Sequence, residues 1–257
     1  MPFETGTLIL ANYSAKVKDT GEAVESTQAD EAKKLGIHDP TRRYEPKLIS
    51  IGEGWVLQGL DEALRNATVA ERLTVEVPPE KGFGQRDASL VRLLPLRKFG
   101  ERANELRVGD VVEVEGRLGV VRFLGSGRAQ VDFNHRFAGK TLIYEIEVLT
   151  KLETDQDKIM AMIKRRMAVD AEKVKLTFDG PSLQIELPED SYLTEGIQIL
   201  KKAIATDVFK YLPGIRAANF VESYQAPPPK ETEAPEAAPA KPAPEEAPVA
   251  EPAKTPS

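Results

Sequence analysis

Short runs of alternating apolar and polar residues, most of them closed by a turn signal, fill much of the first 150 residues. A period of two puts every second side chain on one face of a pleated strand, so such a chain builds sheets. Arg72 to Val77 is the clearest run, with Leu73, Val75 and Val77 on one side. Thr141 to Leu149 repeats the pattern with Leu142, Tyr144, Ile146 and Val148. Thr7 to Tyr13, Lys16 to Lys18 and Lys47 to Ile51 read as further strands, with turns at Asp19-Thr20-Gly21 and Gly52-Glu53-Gly54. Only two short helices are expected among them. One lies around Ala29 to Leu35 in the polar stretch Glu25 to Glu45, the other is a single turn from Leu60 to Arg65.

Between Gln85 and Gln130 the pattern changes. Val108 to Glu115 and Leu118 to Leu124 alternate around Gly116-Arg117, and Gly125-Ser126-Gly127 leads into Arg128 to Phe133. This reads as a small all-β unit inserted into the first domain. After Lys151 the order becomes α-β-β-α-β. Thr154 to Asp157 resembles a capping box before a helix to Met167. Val174 to Phe178 and Leu183 to Leu187 then form a hairpin about Asp179-Gly180. Leu193, Ile197, Leu200, Ile204, Val208 and Tyr211 share a helical stripe, and Ile215 to Tyr224 closes as a strand.

The last 32 residues, Ala226 to Ser257, hold ten of the chain's 19 prolines and no aromatic side chain. So little apolar surface cannot offset the entropy of ordering, and the segment is expected to be disordered. The expected domains are therefore 1–90 with 132–152, the insert 91–131, a C-terminal domain 153–224, and a tail 225–257.

Composition removes several chemistries. With no cysteine, thiolate nucleophiles, disulfides and zinc-thiolate sites are excluded, and only His38 and His135 could serve as imidazole ligands. No metal and no cofactor are expected. A net charge of −6 argues against a general nucleic-acid partner. No window approaches the ~18 apolar residues of a membrane span, and Glu4 stands where a signal peptide carries positive charge, so the expectation is a cytoplasmic chain without a membrane partner. Gly139-Lys140-Thr141 matches the end of a phosphate loop, but the glycine required five residues earlier is Asn134 and a strand follows. His135 reads as a hydrogen-bonded loop histidine. Val108 to Val112 with Gly116 and Gly119 also resembles the small barrel of RNA-associated factors, although Glu113 and Glu115 balance Arg117 and Arg122.

Four phrases together resemble the FKBP-type peptidyl-prolyl isomerases. They are Asn12-Tyr13 with Gly21 to Glu25, Ile51 to Leu64, Val77 to Gly84, and Val131 to Leu142, the last resembling the re-entry after the insert-in-flap domain of SlyD-like proteins. The resemblance covers Met1 to about Leu152, and the whole layout is similar to the long archaeal form. It implies an α+β fold, an antiparallel half-barrel sheet around a short helix, carrying the inserted all-β domain and the α-β-β-α-β domain.

The resemblance also implies a site. Tyr13, Val24, Val56, Leu57, Leu60, Phe83, Leu142 and Tyr144 match the positions that hold a substrate proline, and Tyr13, Glu25, Leu57 and Phe83 the catalytic ones. Leu57 contributes its backbone N–H. Glu25 replaces the family's Asp, Phe83 its Tyr, and Leu60 the pocket-floor Trp. Unfolded or partly folded chains with X–Pro bonds are the implied partners. Leu93, Leu94, Leu96 and Val112 are the expected chaperone surface of the insert. A homodimer through the C-terminal domain is expected, because its stripe offers more apolar surface than so small a core encloses. A holdase with a weak isomerase pocket and an RNA-associated factor are the alternatives.

Overall fold

The computed structural model describes residues 2–224. The tail expected to be disordered lies outside the described residues. Five strands make the first sheet: β1 (Leu8–Val17), β2 (Ala23–Ser26), β3 (Lys47–Ser50), β4 (Arg72–Val77) and β9 (Leu142–Lys151). Its order is β2-β1-β9-β4, all antiparallel, and β3 pairs with the residues of β1 that β2 leaves free. The two pieces expected at Thr7–Tyr13 and Lys16–Lys18 are one strand, with a register shift against β2 at Ala15/Lys16. Helix α1 (Ala29–Lys34) lies in the connection from β2 to β3, and α2 (Gln58–Arg65) is two turns long rather than one.

Alternation along β1 sends Ile9, Ala11, Tyr13, Ala15 and Val17 into a core with Leu60 and Leu64 of α2. Gly59 makes that packing close: a Cβ there would come within 2.9 Å of Val77 Cγ1. Leu8 and Leu10 belong to a different core on the opposite face. That second core is completed by the C-terminal elements: α3 (Asp155–Arg166), β10 (Lys175–Asp179), β11 (Ser182–Glu186), α4 (Ile197–Tyr211) and β12 (Ala217–Val221). β10 and β11 form the expected hairpin, and β12 adds parallel to β11. Leu8, Leu48 and Leu152 of the first sheet are buried together with Ile159, Met162, Ile163, Ile204 and Val208 of α3 and α4. Thr154 caps α3 by accepting from the Asp157 N–H at 3.1 Å, and Arg166 ties α3 to Asp207 of α4 at 2.8 Å.

One member of the expected stripe does not belong to it. Leu193 is 96% exposed, because Gly196, at φ +72°, starts α4 anew and breaks the phase. Much of the apolar surface of the C-terminal elements is covered by Leu8, Leu48 and Leu152 of the first sheet.

The insert is a four-stranded antiparallel sheet, β5 (Val91–Pro95), β8 (Arg128–Asp132), β7 (Arg117–Gly125) and β6 (Val111–Val114), in that order. A 3₁₀ segment broken by a kink at Gly100 spans Leu96–Asn104 after β5, and its Leu96 and Phe99 pack on the core of Val112, Val114, Val121, Ala129 and Val131. This corrects the expected chaperone surface. Val112 is 3% exposed and belongs to the core, and Leu94 and Leu96 pack against it. Adjacent strand residues face opposite ways, so the exposed side carries the neighbours instead. Leu93 (52% exposed) and Phe123 (55%) stand opposite Gln130 from either side, with Val111 and Leu118 also exposed.

Candidate active site

The site is built where α2 begins beneath the sheet. Gly52 turns the chain after β3 with φ +78°, and its N–H donates to Asp61 Oδ1 at 2.8 Å. Asp61 is buried on α2, so the helix itself holds the loop that delivers Val56 and Leu57. Leu57 caps α2 in an extended conformation, and its carbonyl accepts from Leu60 and Asp61. Its own N–H bonds no described residue. An unpaired backbone N–H is a donor available to a carbonyl.

Tyr13, Leu60, Leu142 and Tyr144 are buried members of the core over which Val24, Val56, Leu57 and Phe83 pack half-buried. All eight expected apolar positions therefore lie in or against one core. They do so at two depths. Leu142 is fully buried in the core. Leu60 and Tyr144 are each 1% exposed.

The Tyr13 and Tyr144 rings lie 5.7 Å apart, tilted by 58°. The Tyr144 hydroxyl donates to Glu25 Oε1 at 3.2 Å. The Tyr13 hydroxyl bonds no described residue, which leaves it available as a donor. Burial pushes the Tyr13 phenol well above its ordinary pKa, the Glu25 charge adds to this, and Arg42 opposes it. Burial and Glu25 act the same way on Tyr144. Both are neutral O–H groups across the physiological range.

Phe83 is half-buried against two other rings. His135 stacks on it with ring centroids 4.1 Å apart, and Phe137 lies 5.7 Å from it. His135 Nδ1 also accepts from the Phe137 N–H at 3.3 Å, so the hydrogen-bonded loop histidine expected from sequence is in addition an aromatic partner of Phe83. Asp61, Phe137 and this role of His135 escaped the sequence reading. The available signal was an Asp directly after Leu60, on a helix whose apolar side is Leu60 and Leu64.

The profile of the family described as FKBP-type peptidyl-prolyl cis-trans isomerase matches residues 2–149 of this chain. The chain belongs to that family. A second profile, described as FKBP26_C-terminal, matches residues 155–225. The chain is 32% identical over 143 residues to a short-type peptidyl-prolyl cis-trans isomerase of Methanocaldococcus jannaschii, covering 56% of this chain and 90% of that protein. It is 26% identical over 151 residues to an FKBP-type 16 kDa peptidyl-prolyl cis-trans isomerase of Escherichia coli, covering 57% and 91%. A SlyD isomerase of Helicobacter pylori is 26% identical over 128 residues, 49% of this chain and 69% of its own.

In this FKBP-type isomerase the insert is pinned at both of its crossings. Arg86, on the way in, pairs with Asp132, on the way out. Asn134 exchanges two hydrogen bonds with the Asp87 backbone at 2.8 and 2.9 Å. Burial pushes the Asp132 carboxyl up, but hydrogen bonds from Asn134 and the charges of Arg86 and Arg122 outweigh it and hold the carboxyl below its ordinary value. Among the described residues, no helix is long and apolar enough to cross a membrane.

Proposed function

We propose that the family's reaction runs in this chain between the free Leu57 N–H, the free Tyr13 hydroxyl and the apolar surface of Val24, Val56 and Phe83. The X–Pro amide is planar through C–N double-bond character, and rotating it faces about 18–20 kcal/mol. Water stabilises that charge-separated planar form. A dry apolar pocket withdraws the help, whereas the twisted amide, with its electrons localised, loses less. Leu57 holds the chain on one side of the bond. Tyr13 donates to a carbonyl whose orientation changes during rotation, so its bond strengthens in the twisted state, and only such differential binding raises kcat. Glu25, held by Tyr144, sets the field around Tyr13. Phe83 offers a face and no hydroxyl, which leaves the donor role to Tyr13 and Leu57. The observation that carries the reading is the pair of unpartnered donors, the Leu57 N–H and the Tyr13 hydroxyl, on residues of one apolar cluster. Protease-free exchange assays on a proline tetrapeptide test it: acceleration is expected, with an apolar residue favoured before proline.

The insert is the proposed chaperone surface, through the exposed side that bears Leu93, Val111, Leu118 and Phe123. Exposed apolar patches of this kind mark interaction sites. Leu93→Glu with Phe123→Glu is expected to leave tetrapeptide isomerisation within twofold of wild type, and to remove most acceleration of a proline-limited refolding reaction. Equal losses on both substrates would contradict the division of labour.

A homodimer through the C-terminal domain is proposed on Ile199 and Phe209, which remain exposed on α4. Light scattering on the full chain at micromolar concentration is expected to give twice the chain mass, and a monomer would refute the pairing.

A further inference from the structure

A cavity of about 400 Å³ opens where the isomerase sheet meets helix α3. Tyr13, Glu25 and Leu48 line it from the sheet, and Met160 lines it from the helix. Charged groups surround this apolar floor, and most are already engaged. Arg43 pairs with Glu45 and donates to the carbonyls of Lys164 and Met167 at 3.2 and 3.0 Å. Arg165 lies on the Trp55 ring, 3.6 Å from its centroid, and Asp157 holds the Thr154 hydroxyl at 2.6 Å. Glu25 accepts from Tyr144. Three cations remain at the cavity, Arg42, Lys47 and Lys164, and none pairs with a carboxylate of the described residues.

We propose that this cavity is an anion-selective subsite of the isomerase groove, in which Arg42, Lys47 and Lys164 bind an acidic side chain of the client near its proline. The inference rests on the assignment of Tyr13 to the proline pocket. Because Tyr13 and Glu25 border both spaces, a client whose proline enters the pocket passes the cavity within a residue or two, at ~3.3 Å of extended chain per residue. Five cations, Arg42, Arg43, Lys47, Lys164 and Arg165, line the cavity against three carboxylates, Glu25, Glu45 and Asp157, so its lining carries a positive excess in a chain whose net charge is −6. The apolar floor accepts the methylene groups of a glutamate while its carboxylate meets the cations. Lys164 lies beyond residues 2–149, the part matched by the isomerase profile, so the preference belongs to this chain's extra domain and not to the fold in general.

The test uses the full-length protein and three sets of proline hexapeptides that differ only in Glu, Gln or Lys two residues before or after the proline. At low salt the Glu peptide is expected to show kcat/KM about five- to tenfold above its Gln counterpart, with Lys below both, the difference lying in KM. The ratio should shrink as salt screens the site. Within Lys164→Gln and Arg42→Gln variants the Glu-to-Gln ratio is expected to fall toward one. Equal values for the three peptides, or a ratio that survives in both variants, would overturn the subsite while leaving the proline pocket standing. Failure to turn over the Gln peptide at all would remove the proline-pocket reading, and the subsite with it.

Discussion

Tyr13→Ala is expected to lower kcat/KM for a proline tetrapeptide by more than about tenfold, a loss of over 1.4 kcal/mol of transition-state stabilisation. The change removes both an apolar wall and the unpartnered hydroxyl. Tyr13→Phe separates the two: it keeps the ring against Tyr144 and deletes the donor, so a loss confined mostly to kcat is expected from it. Leu60→Ala attacks the floor instead. Leu60 is buried at the centre of the α2 core, so the substitution opens a cavity and is expected to cost about 2–5 kcal/mol of stability as well as activity. Circular dichroism on each variant distinguishes a damaged pocket from an unfolded one. Wild-type rates from folded Tyr13→Ala and Leu60→Ala proteins would mean that the pocket lies elsewhere.

A chain cut after Leu152 is expected to lose its fold or to aggregate. The cut would expose Leu8, Leu48 and Leu152, which are buried against α3 and α4, together with Leu10 and Trp55 packed at their edge. Trp55 also meets Tyr211 of α4 edge-on, with centroids 5.7 Å apart, and it immediately precedes Val56 and Leu57 of the site. The C-terminal domain therefore braces the loop that delivers the Leu57 N–H. Met162→Ala, in the middle of the shared core, is the milder version: a loss of about 2–5 kcal/mol is expected, with both cores melting in one transition. A monodisperse, folded and fully active 1–152 fragment would contradict this coupling.

How much of this was written in the sequence depends on how local the cause is. β4 was legible to the residue, because Leu73, Val75 and Val77 alternate and nothing interrupts them. The cap at Thr154 was legible because a cap is a contact between near neighbours. β2 was not, since Ala23–Ser26 has no apolar period and is a strand only through its pairing with β1. β5 was hidden for a similar reason: it ends in Pro95 and gains its partners from β8. The side of the insert that faces water could not be read from alternation, because what decides it is the 3₁₀ segment lying over the other face. The shared core did leave a trace. Leu8, Ile9 and Leu10 are consecutive apolar residues, which a strand covered on both faces requires and a half-exposed strand does not. As for the site, the periodicity of Tyr13, Leu60 and Tyr144 marks only buried positions, and their convergence with Leu57 and Phe83 followed from family resemblance and from three-dimensional packing. The aromatic wall of Phe83, His135 and Phe137 joins segments separated by the whole insert, so no local signal could announce it.

The most direct measurement of the central claim is an amide chemical-shift titration of the isotope-labelled full-length protein with an X–Pro tetrapeptide. The account predicts that the largest saturable shifts fall on Tyr13, Glu25, Val56, Leu57 and Phe83, with the Leu57 amide moving downfield as its free N–H acquires a carbonyl partner. Saturable shifts that leave Leu57 and Tyr13 unmoved and gather elsewhere would contradict it.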